Sequence, residues 1–144
     1  MKKLALLTLT LLFALLFALA TAAQTPSPGY QPKSKNDPAH SQDEFTALAY
    51  MHTAVTAEKL YYRKHNRYPD SLLGLVGSGS FTRRMANPDR GAYKVGYRLR
   101  PDGYALTMTP PAIDPNHRAF YVDESGQFRV NETAQATDKS APLK

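Results

Sequence analysis

The chain has 144 residues, a formal net charge of +6 and no cysteine. That length suits one domain with a thin core, in which each buried aromatic matters. Without cysteine there is no disulfide, thiolate nucleophile, thiolate zinc site or lipidated cysteine, so packing alone must hold the fold.

Lys2 and Lys3 precede an uncharged, leucine-rich run from Leu4 to Ala20, and Thr21-Ala22-Ala23 resembles a signal-peptidase exit. Residues 1–23 are therefore expected to be a signal peptide, with export to the periplasm or outside. The rival is an uncleaved anchor, because a spanning helix needs roughly 17–25 apolar residues. The small-residue exit favours cleavage. Loss of Lys2 and Lys3 would lower the formal charge from +6 to +4, a surplus that goes with solubility more than with a polyanion partner.

From 24 to 41 the composition shifts to Pro, Ser, Gln, Lys and Asn, which predicts a linker broken by Pro26, Pro28, Pro32 and Pro38. Ser41 to Pro69 then reads as a long helix. Ser41 and Glu44 have capping-box spacing, Asp43 and Glu44 suit its positive end, and Arg63, Lys64, His65 and Arg67 suit its negative end. Pro69 disfavours helical geometry at Tyr68. Phe45, Leu48, Met51 or His52, Val55 and Tyr62 form the expected apolar stripe.

Asp70 to Leu75 can form a short turn whose leucines pack on the helix. Gly77-Ser78-Gly79-Ser80 opens a loop, and Phe81 to Gly91 reads as a basic, irregular excursion with no strand. Beyond Gly91 the period becomes alternating. Tyr93, Val95, Tyr97 and Leu99 share one face and Lys94, Gly96, Arg98 and Arg100 the other. Pro101-Asp102-Gly103 reverses the chain into a second strand carrying Tyr104, Leu106 and Met108. A third strand is expected over 118–122 and a fourth over 127–130, separated by the turn Asp123-Glu124-Ser125-Gly126. The folded part is expected at 42–131, with 132–144 a flexible tail. The predicted class is α+β: one long N-terminal helix on a four-stranded antiparallel meander, with Phe45, Leu48, Val55, Tyr62, Val95, Tyr97, Leu106, Phe120 and Phe128 in its core.

Leu60-Tyr61-Tyr62, then Asn66-Arg67-Tyr68-Pro69-Asp70-Ser71-Leu72, then Gly96-Tyr97, Gly103-Tyr104-Ala105-Leu106 and Phe120 to Arg129 occur in a distinctive order. Over roughly Phe45 to Arg129 the chain resembles the globular domain of type IV pilin-like proteins and type II secretion pseudopilins. The resemblance implies a helix packed on a meander, and envelope proteins such as secretion or pilus machinery as partners. One departure stands out. Such prepilins carry a glycine before the cut, then Phe, and a Glu early in a hydrophobic helix that runs unbroken into the globular part. Here a proline-rich stretch separates the apolar run from the helix. The expectation is an exported, non-enzymatic, pilin-like interaction module that is soluble or tethered, touching membrane only if residues 1–23 are kept.

Other chemistry finds little footing. His40, His52, His65 and His117 are dispersed without metal-ligand spacing, and Gly77-Ser78-Gly79-Ser80 is neither a nucleophile elbow nor a phosphate loop. No catalytic residue, cofactor or metal site is expected. Asp123 and Glu124 are weak calcium candidates, as loops of some pseudopilins bind that ion, but calcium wants about six to eight oxygens. Arg83, Arg84, Arg90, Lys94, Arg98 and Arg100 are polyanion-binding candidates. Nucleic-acid binding is the alternative reading, weakened because Tyr93 and Tyr97 should point away from those cations, leaving no base-stacking platform.

Overall fold

The computed structural model describes residues 29–144. The expected signal segment 1–23 and the first part of the linker, 24–28, lie outside the described residues. Among the described residues the architecture is α+β, with one α-helix laid on an antiparallel sheet.

The helix, α1, spans Gln42–His65, 24 residues or about 36 Å at 1.5 Å per residue. Ser41 is extended at φ −148°, and its Oγ accepts the Glu44 amide at 3.1 Å. Its other half departs from a capping box. The Glu44 carboxylate passes over the cap and accepts the His40 amide at 2.8 Å. The helix ends at Asn66, a residue in the left-handed region at φ 52°, whose amide donates to the Tyr62 carbonyl at 2.7 Å. Asparagine tolerates that region, so the stop falls three residues before Pro69.

The buried side of α1 comprises Glu44, Ala47, Leu48, Tyr50, Met51, Ala54, Val55, Ala57 and Glu58. Leu48 and Val55 occupy the core as expected, while Phe45 is half-buried. Tyr62, expected in the core, is 41% exposed. The helix rests on its alanine face, which brings the backbone close to the sheet and swings Tyr62 outward beyond it. His52 stays on the surface and stacks on Phe128 with ring centroids 4.2 Å apart.

Between helix and sheet, the 3₁₀ turn Leu72–Leu75 buries both its end leucines. Gly74 is required there, because a Cβ would lie 2.7 Å from that of Pro69. Phe81 is fully buried and packs on Tyr50 with centroids 6.1 Å apart, a burial that contributes about 2–3 kcal/mol. The expected excursion is therefore anchored at its start. It also contains a second 3₁₀ turn, Arg83–Ala86, and a strand, β1 (Asp89–Arg90), where none was expected.

The sheet continues through β2 (Tyr93–Arg100), β3 (Gly103–Thr109), β4 (Ala119–Asp123), β5 (Arg129–Asn131) and β6 (Ala141–Pro142), every neighbour antiparallel. The expected four-stranded meander is thus a six-stranded one. Two-residue strands such as β1 and β6 carry no alternation to read and form only because a neighbouring strand is already in place. Val95, Leu106 and Phe120 are buried, and Tyr97 and Phe128 are half-buried against the same core.

The two expected polar flanks also join the fold. Tyr30 packs on Phe45, its hydroxyl donates to Asp37 at 2.5 Å, and Ala39 is buried. At the other end Ala136 packs against Ala105, Ala119 and Tyr121 on the sheet face remote from the helix. Segment 132–144, expected as a tail outside the folded part, therefore covers part of a face expected to be wet, and it returns as β6. Alanine and tyrosine at outward positions of β3 and β4 supply the apolar ground for it.

Candidate functional site

Two glutamates face inward from α1, and they meet opposite surroundings. Glu44, in the first turn, is fully buried with Arg118, the residue just before β4. Its Oε1 accepts the Arg118 amide at 2.8 Å and Nε at 3.0 Å, and its Oε2 accepts Nη2 at 2.7 Å. Nη2 also donates to the Pro38 carbonyl at 2.7 Å, and the guanidinium lies over the Phe120 ring at 5.6 Å. Burial alone would raise the Glu44 carboxyl, but the hydrogen bonds from Arg118 and His40 outweigh it and hold the group below its usual range. Nearby, His117 Nδ1 reaches Asp114 at 3.0 Å and Nε2 reaches Asp43 at 3.4 Å, while Ser41 Oγ donates to the Asn116 carbonyl at 2.6 Å. These bonds tie the β3–β4 loop to the front of α1.

Glu58, fourteen residues on, is also fully buried, yet neither carboxyl oxygen meets a hydrogen-bond donor among the described residues. Burial pushes its pKa up to about 7, with the nearby Tyr97 hydroxyl acting in the lowering direction. That hydroxyl gives its proton to the Pro69 carbonyl at 2.9 Å. Tyr97 stacks on Tyr104 (6.1 Å), Tyr104 packs on Tyr68 (5.2 Å), and Tyr68 on Tyr62 (4.7 Å). A chain of four tyrosine rings thus runs from the core beside Glu58 out to the surface.

Where this chain surfaces, a groove of about 690 Å³ opens between the end of α1 and the β2–β3 turn, lined by Tyr62, Asn66, Arg67, Tyr68, Asp70, Leu99, Arg100, Pro101 and Asp102. Leu99, on the helix-facing side of β2, is 41% exposed because α1 has already ended there. Exposed Tyr62 and Leu99 in one groove make an apolar floor, with the charged side chains of Arg67, Asp70 and Asp102 around it.

The polyanion candidates do not assemble into one strip. Arg90 lies over the Tyr50 ring at 5.0 Å and donates to the Arg84 carbonyl at 3.2 Å, and Arg84 and Arg90 line a cleft beside the first half of α1. Arg83 is exposed on the adjoining turn. Lys94, Arg98 and Arg100 instead point from the opposite face of the sheet, by the alternation of β2. Arg100 is engaged there by Asp138 at 3.8 Å and by the Tyr121 ring at 5.7 Å.

The calcium candidates are occupied as acceptors. Asp123 takes the Ser125 amide at 3.0 Å and its hydroxyl at 2.5 Å on one oxygen, and the Tyr121 hydroxyl at 3.1 Å on the other. Glu124 accepts the Tyr104 amide at 3.3 Å. Among the described residues no three His, Asp or Glu side chains are gathered as metal ligands. Sequence reasoning missed Glu44–Arg118 and Glu58 as buried charges. The signal was present for Glu58: the sequence AVTAEKLYY puts it one helical turn from Ala54 and Tyr61, between apolar neighbours. Comparison with known protein families, curated proteins and solved structures finds no match to the chain.

Proposed function

We propose that the chain is an exported, non-enzymatic interaction module of pilin-like type in the cell envelope, accessory to a secretion or pilus machine, and that it engages its partner through the groove at the end of α1. The observation that carries this reading is the groove itself: Tyr62 and Leu99, each 41% exposed, line one cleft together with side chains of both signs of charge. An apolar floor with a polar rim is the anatomy of a protein interface. The capped start of α1 after a proline-rich stretch supports a domain that begins its helix afresh, in contrast to a filament subunit whose helix continues from the membrane.

Photo-crosslinking in the producing cell tests it, with a photoreactive residue at position 99 and a control at exposed Thr56 on the far side of α1. The expected result is an adduct with an identified envelope component at 99 and none at 56. Fractionation should give a processed protein outside the cytoplasm. Recovery as an integral filament subunit, or no adduct specific to 99, would overturn the reading.

A further inference from the structure

Beside the groove lies an unfinished sheet edge. β1 is two residues long and pairs only with Tyr93 and Lys94 of β2. Just past it, the Val95 amide donates sideways to the Pro88 carbonyl at 2.8 Å. Backbone groups alternate in an antiparallel ladder, so Tyr97 and Leu99, in phase with Val95, also aim their N–H and C=O groups away from β3. No backbone hydrogen bond from the described residues reaches them on that side. From Gly96 to Arg100 this edge extends roughly 16 Å at about 3.3 Å per residue.

We propose that this edge accepts an extended segment of a partner protein as an added strand, and that the segment alternates apolar and acidic residues. The two faces of β2 dictate that pattern. A strand added beside Tyr97 and Leu99 directs alternate side chains into the groove floored by Tyr62, Tyr68 and Leu99, which takes apolar groups. Its other side chains emerge beside Arg98, which is exposed, where opposite charge is favourable across strands and like charge is not. On that outward face Lys94 already lies opposite Asp89 and Arg100 is engaged by Asp138, so Arg98 sets the sign. The same cation disfavours pairing of β2 with β2 of a second copy, a use of charge that protects edge strands from self-association. The pairing of β1 ends at Lys94, short of Tyr97 and Leu99.

This inference rests on the interaction-module reading and names the chemistry of its partner. The test uses the purified full chain and a synthetic seven-residue peptide alternating Val and Glu, with the matching Val and Arg peptide as control. Binding of the Val–Glu peptide should slow amide hydrogen exchange at Tyr97 and Leu99, and Arg98→Glu should weaken it by about tenfold or more, the equivalent of 1.4 kcal/mol. N-methylation of one alternating set of peptide amides should abolish binding, while methylation of the other set leaves it. These peptide variants leave the protein untouched, so folding of a variant is not at issue. Unchanged exchange at Tyr97 and Leu99 under saturating peptide, or equal binding of both N-methylated forms and of the Val–Arg peptide, would overturn the proposal. So would a dimer of the chain that protects those amides without peptide, which assigns the edge to a second copy. Crosslinks at position 99 without strand protection would remove this inference and leave the module reading standing; absence of those crosslinks would remove the module reading first.

Discussion

The two ends of α1 hold the same residue type under opposite conditions. At the front, Glu44 enters the core with a full set of donors from Arg118 and His40, and the neighbouring loop is bonded to the cap at several points. At the back, Glu58 enters the core with no donor on either oxygen among the described residues, and beside it the surface is an open groove and a strand edge that none of those residues pairs. A buried charge with a partner behaves as a rivet, whereas one without a partner shifts its protonation and makes its surroundings depend on pH. The contrast separates a closed end that organises the fold from an open end, where we propose that the partner binds.

The largest test of this contrast is removal of the Glu44 partner. Arg118→Met should cost about 3–5 kcal/mol in denaturant unfolding, because it strands a buried carboxylate. The double change Glu44→Gln with Arg118→Met should recover a good part of that loss; no recovery would mean the pair matters through packing alone.

Glu58 should respond in the opposite sense. Its folded pKa, about 7, is above the ordinary 4.5, so the folded state holds the proton more tightly. The stability this confers is fully present below about 4.5 and is lost as pH rises through about 7, a difference of about 3 kcal/mol. Glu58→Gln should therefore raise stability at pH 8, by an amount of this order or less, and flatten the profile between these limits. Glu44, held below its usual range, contributes stability that is lost as pH falls. A wild-type profile without a decline between pH 5 and 8 would show that Glu58 finds a donor in solution.

Smaller effects refine the boundaries of the two ends. Ser41→Ala should cost about 1 kcal/mol through loss of the bond to the Glu44 amide. At the other terminus Asn66→Gly should be neutral or slightly stabilising and Asn66→Ala should cost about 1 kcal/mol, since a Cβ without a local hydrogen bond resists φ 52°. Leu99→Asp should change unfolding stability by no more than about 0.5 kcal/mol, because the side chain is exposed, while removing adducts at the groove in the cell. A large stability loss in Leu99→Asp would place that residue in the fold and not at an interface.

Much of the architecture was legible because it is written locally. Ser41, Asp43 and the basic last turn mark both ends of α1, and the alternation Tyr93-Val95-Tyr97 against Lys94-Gly96-Arg98 shows which side of β2 is dry. Helix caps and strand periods are properties of neighbouring residues, so they need no knowledge of the rest of the chain. The candidate site was less legible. Arg83 to Arg100 are close in sequence, but the reversal at Gly91 and the pleat of β2 send Arg84 and Arg90 toward the helix and Lys94 and Arg98 to the other face.

The sequence by itself determined an α+β class, the start of α1 and the hairpin of β2 and β3, because capping, turn chemistry and period are short-range. Tertiary structure alone decided that Glu44 finds Arg118 across 74 residues while Glu58 finds no donor among the described residues. It also decided that residues near 136 return to cover the sheet, and that α1 ends early enough to leave Leu99 and the β2 edge open. Each depends on which distant groups arrive to satisfy a charge, an apolar face or a backbone edge, and burial of that kind is a property of the assembled fold.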